Sequence, residues 1–217
     1  MAKKRKKKPL PPKPLTEEQF IRLKMRSLPI TECLMETGWE ERGLCCIVVN
    51  RQHPNGKITM GVFLVDNFCL GLKETHYFFE IPDEDYATRI GGDVAMKKVS
   101  YEEVHNFIYG AIAFAEEVGI KPAKSFELTQ YILEEDTEDI PLIEYPYGKN
   151  GKYYLYADTL MELNTHLKHL QNVLGDEFGG FEVYSEQRKL WRLRKKLIEC
   201  YMDAGIIPDW QTVYPDK

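Results

Sequence analysis

Gly61-Val-Phe-Leu-Val-Asp-Asn-Phe-Cys-Leu-Gly-Leu-Lys73 is the densest apolar run of the chain, and it carries a single carboxylate, Asp66. A short run rich in Val, Phe and Leu, bounded by Gly and a polar pair, reads as a strand buried on both faces. The rest of the chain then reads as material that covers this strand or projects from what covers it.

Immediately upstream, Leu44 to Arg51 is a β-branched strand, and Pro54-Asn55-Gly56 is a tight turn in which Asn-Gly supplies positive φ angles. The strand returning over Lys57 to Asp66 completes a hairpin. Further upstream, Thr16-Glu-Glu-Gln19 is a capping box. It opens a helix to about Ser27, with Phe20 and Leu23 facing inward and Pro29 closing it. Residues 30–43 are mixed and give no clear element, although Trp39 reads as a core or edge anchor.

Downstream, Tyr77 to Ile81 reads as a third strand and Pro82-Asp-Glu-Asp as a helix start. Ser100-x-x-Glu103 is a second capping box. Its helix sets Val104, Phe107, Ile108, Ala111, Ile112, Ala115 and Val118 on one stripe at i, i+3, i+4, i+7 spacing, ended by Gly119 and Pro122. Phe126 to Glu134 reads as a shorter helix before an acidic loop, Glu134 to Asp139. Leu142 to Tyr147, the turn Gly148-Lys-Asn-Gly151, and Lys152 to Tyr156 read as a second hairpin. Asp158 caps a helix to about Leu174, Gly175 to Gly180 is a loop, and Ser185 to Ala204 is the last helix. The expected class is α+β, with a largely antiparallel sheet built from two hairpins and covered by helices. A disordered basic arm (1–15) precedes a single domain (16–217).

A chain of 217 residues buries roughly 70% of its unfolded surface, so it needs neither disulfide nor metal for stability. Cys33, Cys45, Cys46, Cys69 and Cys200 are odd in number, form no Cys-x-x-Cys pair and sit mostly among apolar residues. They read as reduced, buried thiols of a cytoplasmic protein. No apolar stretch approaches the ~20 residues of a membrane span. The N-terminal cations are followed by prolines, unlike a secretory signal.

Net charge is −5, but Lys3, Lys4, Arg5, Lys6, Lys7, Lys8 and Lys13 put +7 on the first thirteen residues and leave the remainder at −12. Like charges and Pro9, Pro11, Pro12 and Pro14 keep such an arm extended and unfolded. The arm attracts polyphosphate while the body repels it, so contact is expected through a tail rather than across a face.

The run Val62 to Lys73 resembles a segment of an uncharacterised bacterial protein family. There an Arg-x-x-x-x-Gly hairpin (here Arg51 to Gly56) precedes a Val-Asp-x-x-Cys-Leu-Gly-x-Lys stretch. A helix like Tyr109 to Glu116 and a hairpin like Tyr147 to Lys152 follow. The resemblance covers about residues 30–157 and implies a bacterial domain of no known activity, so it brings no functional residue. The arm and the last helix lie outside it.

The arm is the leading candidate site. Seven cations without acids release counterions from several phosphates, which gives binding that weakens steeply with salt. The last helix carries a second set, Arg188, Lys189, Arg192, Arg194, Lys195 and Lys196, opposite a Leu190, Leu193, Leu197 stripe. Of these Arg188, Arg192, Lys195 and Lys196 are expected to assist on phosphate, with Trp191 available for stacking. The alternative is a solvated face paired with the acidic body.

Asp66 could anchor a metal-dependent hydrolase or nuclease, with Glu74, Glu80 or Asp83 as second carboxylate and Lys73 adding charge. Its favoured role is structural, bonded to a backbone amide or to Lys73. Glu162, His166 and His169 share a helix without a defined metal spacing, and the acidic loop lacks the ligand pattern of a calcium site. No metal or cofactor is expected. The reading adopted is a non-enzymatic RNA-associated protein held by its arm to a ribonucleoprotein, most naturally the ribosome, with a possible protein partner for the acidic body. Its rivals are the Asp66 enzyme and an interaction module with a solubilising tail.

Overall fold

The computed structural model describes residues 14–82, 85–86 and 95–183. Residues 1–13 of the expected arm and the expected helix over 185–204 lie outside the described residues. The segment begins with α1 (Glu17–Lys24), whose capping box forms as read: Thr16 accepts from the Gln19 amide and Gln19 reaches back to Thr16. A short 3₁₀ turn, Met25–Ser27, extends it. The buried pair is Ile21 and Met25, one turn apart, with Phe20 packed beside them. Leu23 is 67% exposed, a correction to its expected inward position.

Five strands follow: β1 (Ile30–Glu36), β2 (Leu44–Gln52), β3 (Ile58–Asp66), β4 (Gly71–Ile81) and β5 (Met96–Val99). They form one antiparallel sheet in the order β4-β3-β2-β1-β5. The class is therefore α+β with a largely antiparallel sheet. The β2–β3 hairpin stands where the sequence puts it, although Gly56 alone takes a positive φ, at 83°. The His53 carbonyl accepts from Gly56, and the Asn55 side chain accepts from the Lys57 amide. β1 fills part of the span that the sequence left without an element.

The opening stretch is two strands and a turn rather than one strand. β3 stops at Asp66, whose Oδ1 accepts from the amides of Phe68 (2.9 Å) and Cys69 (3.1 Å). An aspartate that bonds its own following amides offers the backbone an alternative to the sheet ladder. Gly71, at φ +65°, then restarts the ladder. A Cβ there would stand 2.8 Å from both the Ala111 carbonyl oxygen and the Ala115 Cβ, so this glycine lets the sheet approach the helix that covers it.

That helix is α2 (Tyr101–Glu117), with both halves of its capping box in place and all seven residues of the predicted stripe buried. It packs with α1 and the short α3 (Phe126–Thr129) on one face of the sheet, enclosing Phe63, Ile47, Val49, Phe107 and Trp39. A second core holds Cys69 and Leu70 from the turn with Leu155, Leu163 and Leu170. The turn thus joins the two cores.

The second hairpin expected over 142–156 does not form. Residues 142–147 run as a strap across α2, where Tyr145 meets Phe107 edge-on and Tyr147 stacks on Phe114. Lys149↔Lys152 is an isolated bridge. β6 (Tyr153–Ala157) pairs instead in parallel with β7 (Phe178–Val183), connected through α4 (Leu160–Leu174). β7 occupies part of the span, Gly175 to Gly180, where the sequence predicts a loop. Thr159, not Asp158, caps α4. The apolar stripe of α4 runs through Leu163, Leu167, Leu170 and Leu174, leaving Val173 51% exposed.

Arg51 is fully buried beneath the sheet and fastens three segments. Its Nε donates to the Ile132 carbonyl (2.6 Å), Nη1 to the Leu28 carbonyl (2.6 Å), and Nη2 to Glu134 Oε1 (2.7 Å). Arg51→Ala leaves those carbonyls unpaired in the core and should cost about 3–5 kcal/mol. Arg51→Lys should recover little, because one ammonium cannot span a planar fork. Urea denaturation midpoints check both.

Candidate functional site

None of the arm cations (Lys3, Lys4, Arg5, Lys6, Lys7, Lys8, Lys13) nor Arg188, Arg192, Lys195 and Lys196 lies among the described residues. What is described is the body that they flank. Its cations are in large part committed internally. Besides Arg51, Arg26 pairs with Glu135 and bonds the Leu133 carbonyl, and Lys73 pairs with Glu162 (2.8 Å) and Asp158 (3.0 Å).

Asp66 is 1% exposed. One carboxylate oxygen holds the turn amides, while Oδ2 has no hydrogen-bond partner. Burial pushes its pKa up to about 6, against the lowering effects of nearby Lys73 and the turn amides. The amide half of the favoured role is met. Lys73 makes its ion pairs elsewhere. Register places Glu74 opposite Leu64, where it pairs with His76 at 2.7 Å. Glu80 lies in a bulge opposite Thr59, at the far end of β3 and about 23 Å along the strand from Asp66. Asp83 lies outside the described residues. Among the described residues, no group of three or more His, Cys, Asp or Glu is placed to hold a metal.

His166 and His169 do not converge with Glu162 on a shared ligand position: His169 Nε2 bonds the Val118 carbonyl (2.6 Å), and Glu162 is taken by Lys73. Burial raises the thiols of Cys45 and Cys69, and pushes that of Cys33 up to about 12, so these sulfurs are poor nucleophiles. Cys45 and Cys46 point to opposite faces of β2, Cys45 buried and Cys46 half-buried.

The acidic loop is only partly solvated. Glu134, beyond its bond to Arg51, donates its amide to the Tyr101 hydroxyl (2.7 Å), and its carbonyl accepts from Tyr109 (3.3 Å). His105 is buried between those two rings, with Nε2 unpartnered and its pKa lowered by burial. A second buried histidine, His53, is stacked on Phe20 and bonds Thr59 Oγ1 at 2.7 Å. Thr59 is fully buried, so its hydroxyl cannot meet a substrate. Sequence reasoning passed over one surface, the outward face of β6 with Tyr154 and Tyr156. Its only signal was the alternation in Tyr153-Tyr-Leu-Tyr-Ala157.

No family model, curated protein or solved structure matches the chain, so its chemistry is read from its own residues. Among the described residues, no helix is long and apolar enough to cross a membrane.

Asp66→Asn keeps the acceptor for the turn amides and removes the buried charge. A carboxyl whose pKa is raised on folding holds its proton better in the native state, so its stabilising contribution is lost as pH rises through about 6. Relative to wild type, the variant should therefore gain stability between pH 4 and pH 7, by at most about 3 kcal/mol. Denaturant titrations at the two pH values check it; a flat difference contradicts the assignment.

Proposed function

We propose that this chain is a non-enzymatic, RNA-associated protein of the cytoplasm, held by its basic arm to a ribonucleoprotein, with the ribosome the foremost candidate. The separation of charge along the chain carries the reading. Residues 14–183 contain fifteen Lys and Arg against twenty-nine Asp and Glu, a net −14, whereas residues 1–13 contain seven cations and no acid. Such a body repels a phosphate backbone, and its Arg26, Arg51 and Lys73 are engaged in ion pairs of their own. Affinity then comes from Lys3, Lys4, Arg5, Lys6, Lys7, Lys8 and Lys13, each neutralised phosphate releasing condensed counterions. Arg188, Arg192, Lys195 and Lys196 add a second, smaller basic set. The acidic surface of the body is left available to a protein partner.

Removal of residues 1–14 should leave the denaturation midpoint unchanged, because Thr16 and its capping box remain. Co-sedimentation with ribosomes at about 0.15 M salt, where exposed charges interact over ~8 Å, should be lost. A truncated chain that still sediments with ribosomes would place the binding elsewhere.

A further inference from the structure

The parallel pair β6–β7 has one face turned to the second core and one turned outward. Tyr153, Leu155 and Ala157 lie on the inward side; Tyr154 and Tyr156 alternate with them on the outward side, both half-buried. Opposite these tyrosines, register places Gly180 and Glu182. Gly180 takes φ +129°, and a Cβ there would lie 3.2 Å from the Tyr154 ring, so that ring rests on bare backbone. The two tyrosine rings are 5.3 Å apart and tilted by 51°. Lys149 Nζ sits 4.1 Å from the Tyr154 ring centre and 5.0 Å from that of Tyr156, and donates to the Tyr156 hydroxyl at 3.2 Å. Burial and the neighbouring Glu182 carboxylate raise the Tyr156 hydroxyl's pKa, and the Arg42 charge acts to lower it.

We infer that this face is a stacking site for one or two unpaired RNA bases, a deepening that rests on the RNA reading above. Three features select that ligand class. Half-buried aromatic rings on a sheet face, each with part of its surface open, accept the flat face of any base. The cation over them is on a flexible stem: when a base takes its place on the ring, the ammonium can swing to the adjoining phosphate. A stacked base is worth more than a cation–π contact, and the ammonium exchanges its bond to the Tyr156 hydroxyl for a charged phosphate, so the exchange runs in favour of binding. Glu182, opposite Tyr156 across the strand pair, supplies a carboxylate acceptor at the rim, suited to a donor on a base edge or to a 2′-hydroxyl. The arm would hold the backbone through charge, and this face would take bases that a folded RNA leaves unpaired.

The test uses the full chain and a fluorescent oligouridine of about ten nucleotides, titrated over a range of salt. Three variants accompany it: Tyr154→Ala with Tyr156→Ala, the two Tyr→Phe changes together, and alanine at Lys3 to Lys8. The double alanine variant should bind at least about tenfold more weakly, with the salt slope of wild type, since stacking releases no counterions. The Phe pair should bind like wild type, and the arm variant should show a shallower slope. Wild-type affinity in the double alanine variant would overturn the stacking face and leave the arm reading standing. No binding by the wild-type chain at any salt would overturn both. A folding defect in the alanine pair is bypassed by photo-crosslinking 4-thiouridine RNA to the wild-type protein: adducts at Tyr154 or Tyr156 support the site, and adducts elsewhere alone contradict it.

Discussion

A guanidinium with no exposed surface sits at the centre of this fold. Arg51 projects from β2 into the layer between sheet and helices, and there it binds the carbonyls of Leu28 and Ile132 and the carboxylate of Glu134. Burying a charge is affordable only when every donor finds an acceptor, and the planar fork of arginine allows several bonds in fixed directions. The consequence is topological. The end of the first helix, the second strand and the segment after α3 are fixed to one another by bonds that no apolar side chain could supply. Arg26, bonded to the Leu133 carbonyl, reinforces the same join from outside. Tyr101 and Tyr109 grip Glu134 from α2, so the helix that covers the sheet is tied to the same point.

This construction bears on function through charge. The body uses its partly buried cations to hold itself together and leaves most of its carboxylates at the surface. A strongly acidic globule of this kind has little to offer a nucleic-acid backbone directly. Within that acidic surface, the outward face of β6 differs in character. Lys149 and two tyrosines meet there, with the Tyr154 ring resting on the backbone at Gly180. Phosphate attraction and base stacking are separable in energy and in salt dependence, so one chain can assign them to different segments.

Much of the architecture could be read from sequence where local rules and tertiary packing agree. The α2 stripe, with its Ser100 cap and Gly119 stop, repeats at 3.6 residues because one helix faces one sheet. The β2–β3 hairpin was legible because its turn is encoded in three adjacent residues. β1 was not, since Thr31, Glu32 and Glu36 interrupt its apolar pattern and its pairing comes from β2 and β5. The strap over 142–147 looked like a strand because its aromatic residues favour strands. Those rings bind α2 instead, and the real partner of β6 arrives only after α4. Asp66 marked the end of a strand correctly, yet its bonds to Phe68 and Cys69 that divide the stretch are visible only in three dimensions. Arg51 is the clearest case: a charged residue in a strand gives no hint that carbonyls twenty-three and eighty-one residues away will enclose it.

The central claim is that a cationic segment tethers an acidic body to polyphosphate. It is tested most directly by the salt dependence of binding between the full chain and folded ribosomal RNA. If all seven arm cations engage phosphate, the plot of log association constant against log salt should fall with a slope of about −5 to −6. A slope near zero, or no association at low salt, would contradict the account.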